Sequence, residues 1–192
     1  MLIKSQQNPE EIPYITYEQM NTIDAFQKVW IRMAAWNRSY IRALIYNTPN
    51  LKLTKQNMRE TPSELGDLFS VFFGTLNGKR LEDLFFQFNE IMMKVTEALK
   101  YGDTITATEK IIEWYQSADE IAAFLAKLNV YWDYDQWVYL LYQYIKYKTN
   151  EINAVLTNDY DAEMATYNMT ETFNFLISNY MARGVLSSQN FR

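Results

Sequence analysis

An all-α fold, an antiparallel up-down bundle of four to five long helices plus short helices, is predicted for this chain by three observations. Apolar residues recur at three- and four-residue steps through most of the sequence, the spacing that lays a stripe along one face of a helix. Glycine and proline are scarce, with 5 and 4 in 192 residues, too few for the many turns of a sandwich or barrel. Hydrophobic residues make up 48% and charged residues 21%, inside the globular range and far from disorder.

The elements follow in order. Residues 1–16, with Pro9 and Pro13 among polar neighbours, read as a flexible N-terminal arm. A first helix is expected over about 17–46, where Ile23, Phe26, Trp30, Met33, Ile41 and Leu44 form one stripe, and Pro49 ends it by pushing its predecessor out of helical geometry. An irregular piece with a turn of helix after Thr54 comes next. The run Thr61-Pro62-Ser63-Glu64 then carries the signature of a helix start, with Thr61 as cap, Pro62 at the first helical position and Glu64 completing a capping box. That brief helix should end near Gly74.

From Gly78 to Tyr101, Leu81, Phe85, Phe88, Met92, Val95 and Leu99 alternate spacings of four and three, the cleanest heptad in the chain. Such a helix is roughly 30–35 Å long. Gly102 closes it, and Asp103 or Thr104 caps a fourth helix reaching about Leu128, with a slip of phase near residues 117–119 that suggests a kink or a restart. Asp133, with Gln136 three residues on, caps a fifth helix carrying Trp137, Leu140, Leu141, Tyr144, Ile145 and Ile152. Asp159 caps a sixth that should end at Gly184, leaving residues 187–192 as a frayed tail. Connections of about three to six residues make successive helices antiparallel neighbours, and the 17–186 region a single domain.

Composition narrows the chemistry. The chain has no histidine and no cysteine but 15 Tyr, 11 Phe and 5 Trp, so the commonest general bases, metal ligands and thiol nucleophiles are missing. No nucleophile elbow, phosphate loop or dinucleotide fingerprint is present. A net charge of −5 gives no basic footprint for nucleic acid. No apolar run of membrane-spanning or signal-peptide form is seen, so a cytoplasmic protein is the expectation.

Several constellations remain. Glu109 with Glu113, and Asp119, Glu120, Asp133 and Asp135 at a helix junction, could in principle hold a hard cation, against a plainer role as caps and solvated faces. Residues 159–163 look like a calcium loop but lack its central glycine, and read instead as an acidic helix N-terminus. Tyr131, Trp132, Tyr134, Trp137, Tyr139, Tyr142, Tyr144 and Tyr147 form an aromatic run that one helix cannot bury against one neighbour. Core packing competes there with a ligand cleft or a dimer face. Asn37 falls beside the first apolar stripe and needs a buried partner. Arg32 and Arg38 either snorkel or pair with Glu90 or Glu113.

The segments EWYQSADEIAAFLAKLNVYWDYDQW, LLYQYIKYKTNE and TNDYDAEMATY, with WIRM at 30–33 and a closing NYMARGV, resemble a family of small all-helical bacterial proteins of unassigned function. The resemblance runs from about Trp30 to Gly184, and members of that family often carry the label acetylglutamate kinase. That label implies an α/β fold with glycine-rich phosphate loops, which 5 glycines cannot supply. The family tends to carry histidines at positions aligning with Gln27, Phe88 and Tyr144, so the resemblance implies a site replaced here by an amide, a core hydrophobe and a phenol.

The leading expectation is a non-enzymatic interaction or structural protein, a homodimer through an aromatic-rich face, with no cofactor. The alternative is a small-ligand binding module or weak enzyme whose interhelical cleft is lined by Gln27, Trp30, Arg32, Phe88, Glu113, Trp137 and Tyr144. A carboxylate metal-binding bundle is the third.

Overall fold

The structure, a computed structural model, describes residues 15–189. Among them stand six helices and no strand: α1 (Tyr17–Ile45), α2 (Leu51–Phe73), α3 (Thr75–Lys100), α4 (Thr104–Leu128), α5 (Tyr134–Thr157) and α6 (Tyr160–Gln189). The chain is therefore all-α. Of the expected arm only Ile15 and Thr16 fall within the described residues, and Thr16 is the cap of α1, exchanging hydrogen bonds with Gln19 in a capping box.

The long helices outnumber the expected four to five because α2 is one continuous element of 23 residues where a brief helix from Thr61 was expected. The Thr61-Pro62 pair opens no helix; it lies buried in the middle of one. Pro62 has no N–H for the Met58 carbonyl. Two side chains supply the missing donors: Thr61 Oγ1 at 3.0 Å and, from α3, Asn89 Nδ2 at 3.3 Å. Glu64, expected to close a capping box, accepts from Arg32 of α1 at 2.6 Å instead.

Gly74, with φ 83°, is the single residue between α2 and α3, a backbone conformation that glycine adopts without steric cost. Because α3 begins at Thr75, Gly78 does not start that helix but lies inside its first turns, against Gly66 of α2. A Cβ on Gly78 would stand 2.4 Å from the Gly66 carbonyl oxygen, so the two backbones touch where neither carries a side chain.

Asp103 caps α4 by accepting from Thr106 N at 3.0 Å, and its carboxyl is held below the ordinary carboxylate range by that bond. The helix runs unbroken through residues 117–119, so it does not restart there. Ser117 and Ala118 are small core-facing residues, and Ser117 donates to the Trp114 carbonyl at 2.7 Å. Asp133 caps α5 through Gln136 N at 2.8 Å, as its spacing predicts.

Helix α6 passes through Gly184 and reaches Gln189. The glycine serves packing: a Cβ there would stand 1.9 Å from Trp132 Nε1, so its absence lets the indole lie on the helix backbone. The Gly184 carbonyl also accepts from Asn129 Nδ2 at 2.9 Å. Residues 187–189 of the expected tail are thus helical, and 190–192 lie outside the described residues.

Each helix packs on the next in sequence, and α6 packs back on α1, closing a ring; α1 also reaches α3 and α5 across the middle. Between α1 and each of its two flanking helices the contacts run in opposite residue order. Gln27 meets Asn179 while Arg38 meets Glu163 between α1 and α6, and Phe26 meets Phe72 while Arg32 meets Glu64 between α1 and α2. The core inside the ring is dominated by Trp30, Trp114, Trp137, Tyr40, Phe26 and Phe69. Among the described residues no helix is long and apolar enough to cross a membrane.

Candidate functional site

The residues expected to line an aromatic cleft are mostly packed into this core. Trp30 lies edge-on to Phe85 with ring centroids 5.4 Å apart, and Trp137 is wedged against Trp132 and Tyr180 at 6.0 and 5.0 Å. Phe88 and Tyr144 do meet, at 5.9 Å between centroids. Gln27 does not join them: it donates to Asn179 Oδ1 at 2.9 Å, about 15 Å along α1 from Asn37, the partner of Tyr144. Gln27, Phe88 and Tyr144 therefore do not converge on one point.

The charged candidates are dispersed as well. Arg32 pairs with Glu64 and Glu90 with Arg59 on the surface, while Glu113 is held by Lys110 one turn away on α4. Neither expected pairing of Arg32 or Arg38 with Glu90 or Glu113 forms. Of the junction acids, Asp133 is spent as a helix cap and Asp119 accepts from Tyr142 at 2.9 Å. Among the described residues no group of three or more Asp or Glu is placed to hold a metal ion.

Sequence reasoning missed the site that the fold does assemble. Between α1, α5 and α6 runs a seam of buried charge: Lys148 is 1% exposed, Glu151 0% and Glu163 2%. Lys148 Nζ donates to Glu151 Oε2 at 2.8 Å, one turn along α5. Arg38 bridges two helices, donating to Glu151 Oε1 at 3.4 Å and to Glu163 Oε1 at 2.7 Å, with its guanidinium 4.4 Å from the centre of the Tyr167 ring. Arg42 donates to the same Glu163 oxygen, and that hydrogen bond holds its guanidinium even more firmly protonated than usual. Buried charges at such separations are tolerated only when paired and hydrogen-bonded, as these are.

Asn37 continues the seam inward. Its Nδ2 donates to Tyr144 Oη at 2.8 Å, so the buried amide has the partner its position demanded, though its Oδ1 has none. Burial pushes the Tyr144 hydroxyl well above its ordinary value, the nearby Glu151 adds to this, and the Asn37 bond opposes it. Beside Lys148 a cavity opens between α1 and α6, lined also by Thr170 and Asn174. Lys148 and Glu163 could not be found by periodicity alone. The one available signal was charge at core-phase positions: Lys148 follows Leu141 and Tyr144 by seven and four residues, and Glu151 follows Tyr144 by seven.

No family model, no curated protein and no solved structure matches this chain.

Proposed function

We propose that the six helices form one antiparallel up-down bundle acting in the cytoplasm as a non-enzymatic interaction protein, self-associating through an aromatic-rich face of α5 and α6. The observation that carries this reading is a second apolar stripe on α6. Met169, Phe173, Leu176 and Tyr180 recur at steps of four, three and four along its α5 side, and Met169 and Leu176 stay 55% and 52% exposed. Next to them α5 presents Tyr139, 54% exposed and edge-on to Phe173 at 6.3 Å.

Tyr139 and Leu176 line a groove of about 300 Å³ together with the apolar Leu140, Phe173 and Tyr180 and the polar Gln136, Asn179 and Arg183. An apolar centre inside a polar rim is how a protein interface is built. A second copy suits it because a two-fold axis through α6 brings the same stripe to both partners, and closed two-fold dimers are the commonest assembly. The charge seam favours a non-catalytic role, since each of its ions is engaged by one of opposite sign.

Light scattering on the full chain tests this. The unmodified protein is expected to be dimeric, and Leu176→Glu with Met169→Glu to give a folded monomer, because each carboxylate would have to be desolvated in the interface. A strict monomer at high concentration, or a dimer unchanged by both substitutions, overturns the reading.

A further inference from the structure

The outward face of α6 is exposed and almost without charge. From Met164 to Ala182 the sequence holds one charged residue, Glu171, and that side chain lies toward α1, where it lines the cavity beside Lys148. Along the outward line stand the exposed Ala165 and Thr172 and the half-buried Asn179. Met169 and Leu176 flank that line toward α5, and Met164 and Phe175, 53% and 38% exposed, flank it toward α1. A solvated helix face normally carries charge, and a helix that is apolar on every side is one that something covers.

The charges that bracket this neutral stretch are opposite in sign and symmetric in position. Asp161 and Arg183 are each eleven residues from Thr172, close to three full turns. Both therefore lie within about 20° of the line of Thr172 and about 16 Å from it, one in each direction. Both are exposed, and neither side chain has a hydrogen-bond or ion-pair partner among the described residues. The acid of one copy and the base of another coincide when two α6 helices run antiparallel and cross at Thr172.

We propose that two copies of the chain meet through an antiparallel pair of α6 helices crossing at Thr172, with Asp161 of each copy paired to Arg183 of the other. The inference rests on the self-association proposed above and specifies its orientation and register. Met169, three residues before the crossing, meets Leu176 of the second copy, four residues beyond it, and its flexible thioether reaches the groove that Leu176 and Tyr139 line there. Thr172, small and central, lets the two backbones approach. A parallel pair would set Arg183 against Arg183 and Asp161 against Asp161, and an antiparallel slip of one turn, about 5.4 Å, would part both ion pairs. Charge thus selects one arrangement by penalising the others.

Two charge-reversed variants of the full chain read the register by sedimentation equilibrium. Arg183→Asp leaves an acid at both ends of the face and Asp161→Arg a base at both, so each alone should dimerise about tenfold more weakly than the unmodified chain. Mixing the two variants restores both ion pairs, and the heterodimer should return to near the unmodified dissociation constant. Because the chain has no cysteine, single cysteines add a geometric readout. Mild oxidation should link Thr172→Cys into a covalent dimer, while Ala165→Cys, whose two copies lie about 21 Å apart in this register, should stay unlinked. A monomeric unmodified chain overturns the self-association and this register with it. A dimer in which the mixture is no tighter than the separate variants, or in which Ala165→Cys links as readily as Thr172→Cys, leaves the self-association standing and overturns the register alone.

Discussion

The residue with most at stake is Lys148, a cation 1% exposed with Glu151 as its one hydrogen-bond acceptor. Lys148→Met removes that partner and leaves Glu151 buried with only the 3.4 Å contact from Arg38. Breaking one half of a buried pair costs about 3–5 kcal/mol. Replacing both halves removes the orphan, so Lys148→Met combined with Glu151→Leu should recover most of that loss, with Arg38 still held by Glu163 at 2.7 Å. Urea denaturation of the two single variants and the double variant reads this directly; a double variant as unstable as the sum of the singles would show that Lys148 and Glu151 contribute independently and that no orphaned charge is being relieved. The seam was hard to read beforehand for a physical reason. Asn37 announced itself as a polar residue in an apolar stripe, but Arg38, Glu151 and Glu163 lie on three helices, 113 and 125 residues from Arg38 in sequence. Their pairing is decided by how the ring closes, which no local spacing encodes.

At the scale of the element, local signals were reliable where a helix end needs only its own residues. Asp103 and Asp133 cap α4 and α5 with carboxylates accepting from the third residue on, and the α3 heptad became a core face. They misled where a tertiary partner takes over. The Thr61-Pro62 pair has the chemistry of a helix start, yet Asn89 on α3 supplies a donor to Met58 O and the helix continues through the proline. The same competition governs Gly184, whose missing side chain admits Trp132 and does not end α6. A coupling between Pro62 and Asn89 follows. Asn89→Leu in the native background deprives the Met58 carbonyl of one of its two donors, a loss of about 1–2 kcal/mol. With Pro62→Ala already present, the restored alanine N–H takes that carbonyl, and the cost of Asn89→Leu should fall by about 1 kcal/mol. A thermodynamic cycle over the four proteins measures the difference, and additive costs would mean the two residues act independently.

For the whole molecule, the absence of histidine and cysteine bears on stability more plainly than on chemistry. No side chain has an ordinary pKa between the carboxylates near 4 and the tyrosines near 10, so stability should be nearly level from about pH 6 to 9. The alkaline edge is set by tyrosines in the core. Tyr40 is pushed far above its ordinary 10.0, first by burial and then by the charge and hydrogen bond of Glu97, with Glu90 adding and Arg59 opposing; Tyr144 is raised by burial as well. Below pH 10 both residues are protonated whether the chain is folded or not, and their contribution is complete. Above pH 10 the unfolded chain releases these protons while the folded chain keeps them, so stability falls as pH rises toward the raised folded values. Each such tyrosine steepens the fall by up to about 1.4 kcal/mol per pH unit. Tyr40→Phe loses the 3.2 Å bond to Glu97 and so starts less stable at neutral pH, but it removes one titrating group. Its stability should therefore decline between pH 10 and 11 with a slope shallower by about 1 kcal/mol per unit than that of the native chain, because the unfolded tyrosine is only part ionised over that interval, and Tyr144→Phe should act likewise. Urea midpoints taken across that interval, converted with a common m-value, give the slopes. Parallel curves for the native protein and both variants would mean that neither core tyrosine stays neutral in the folded ring.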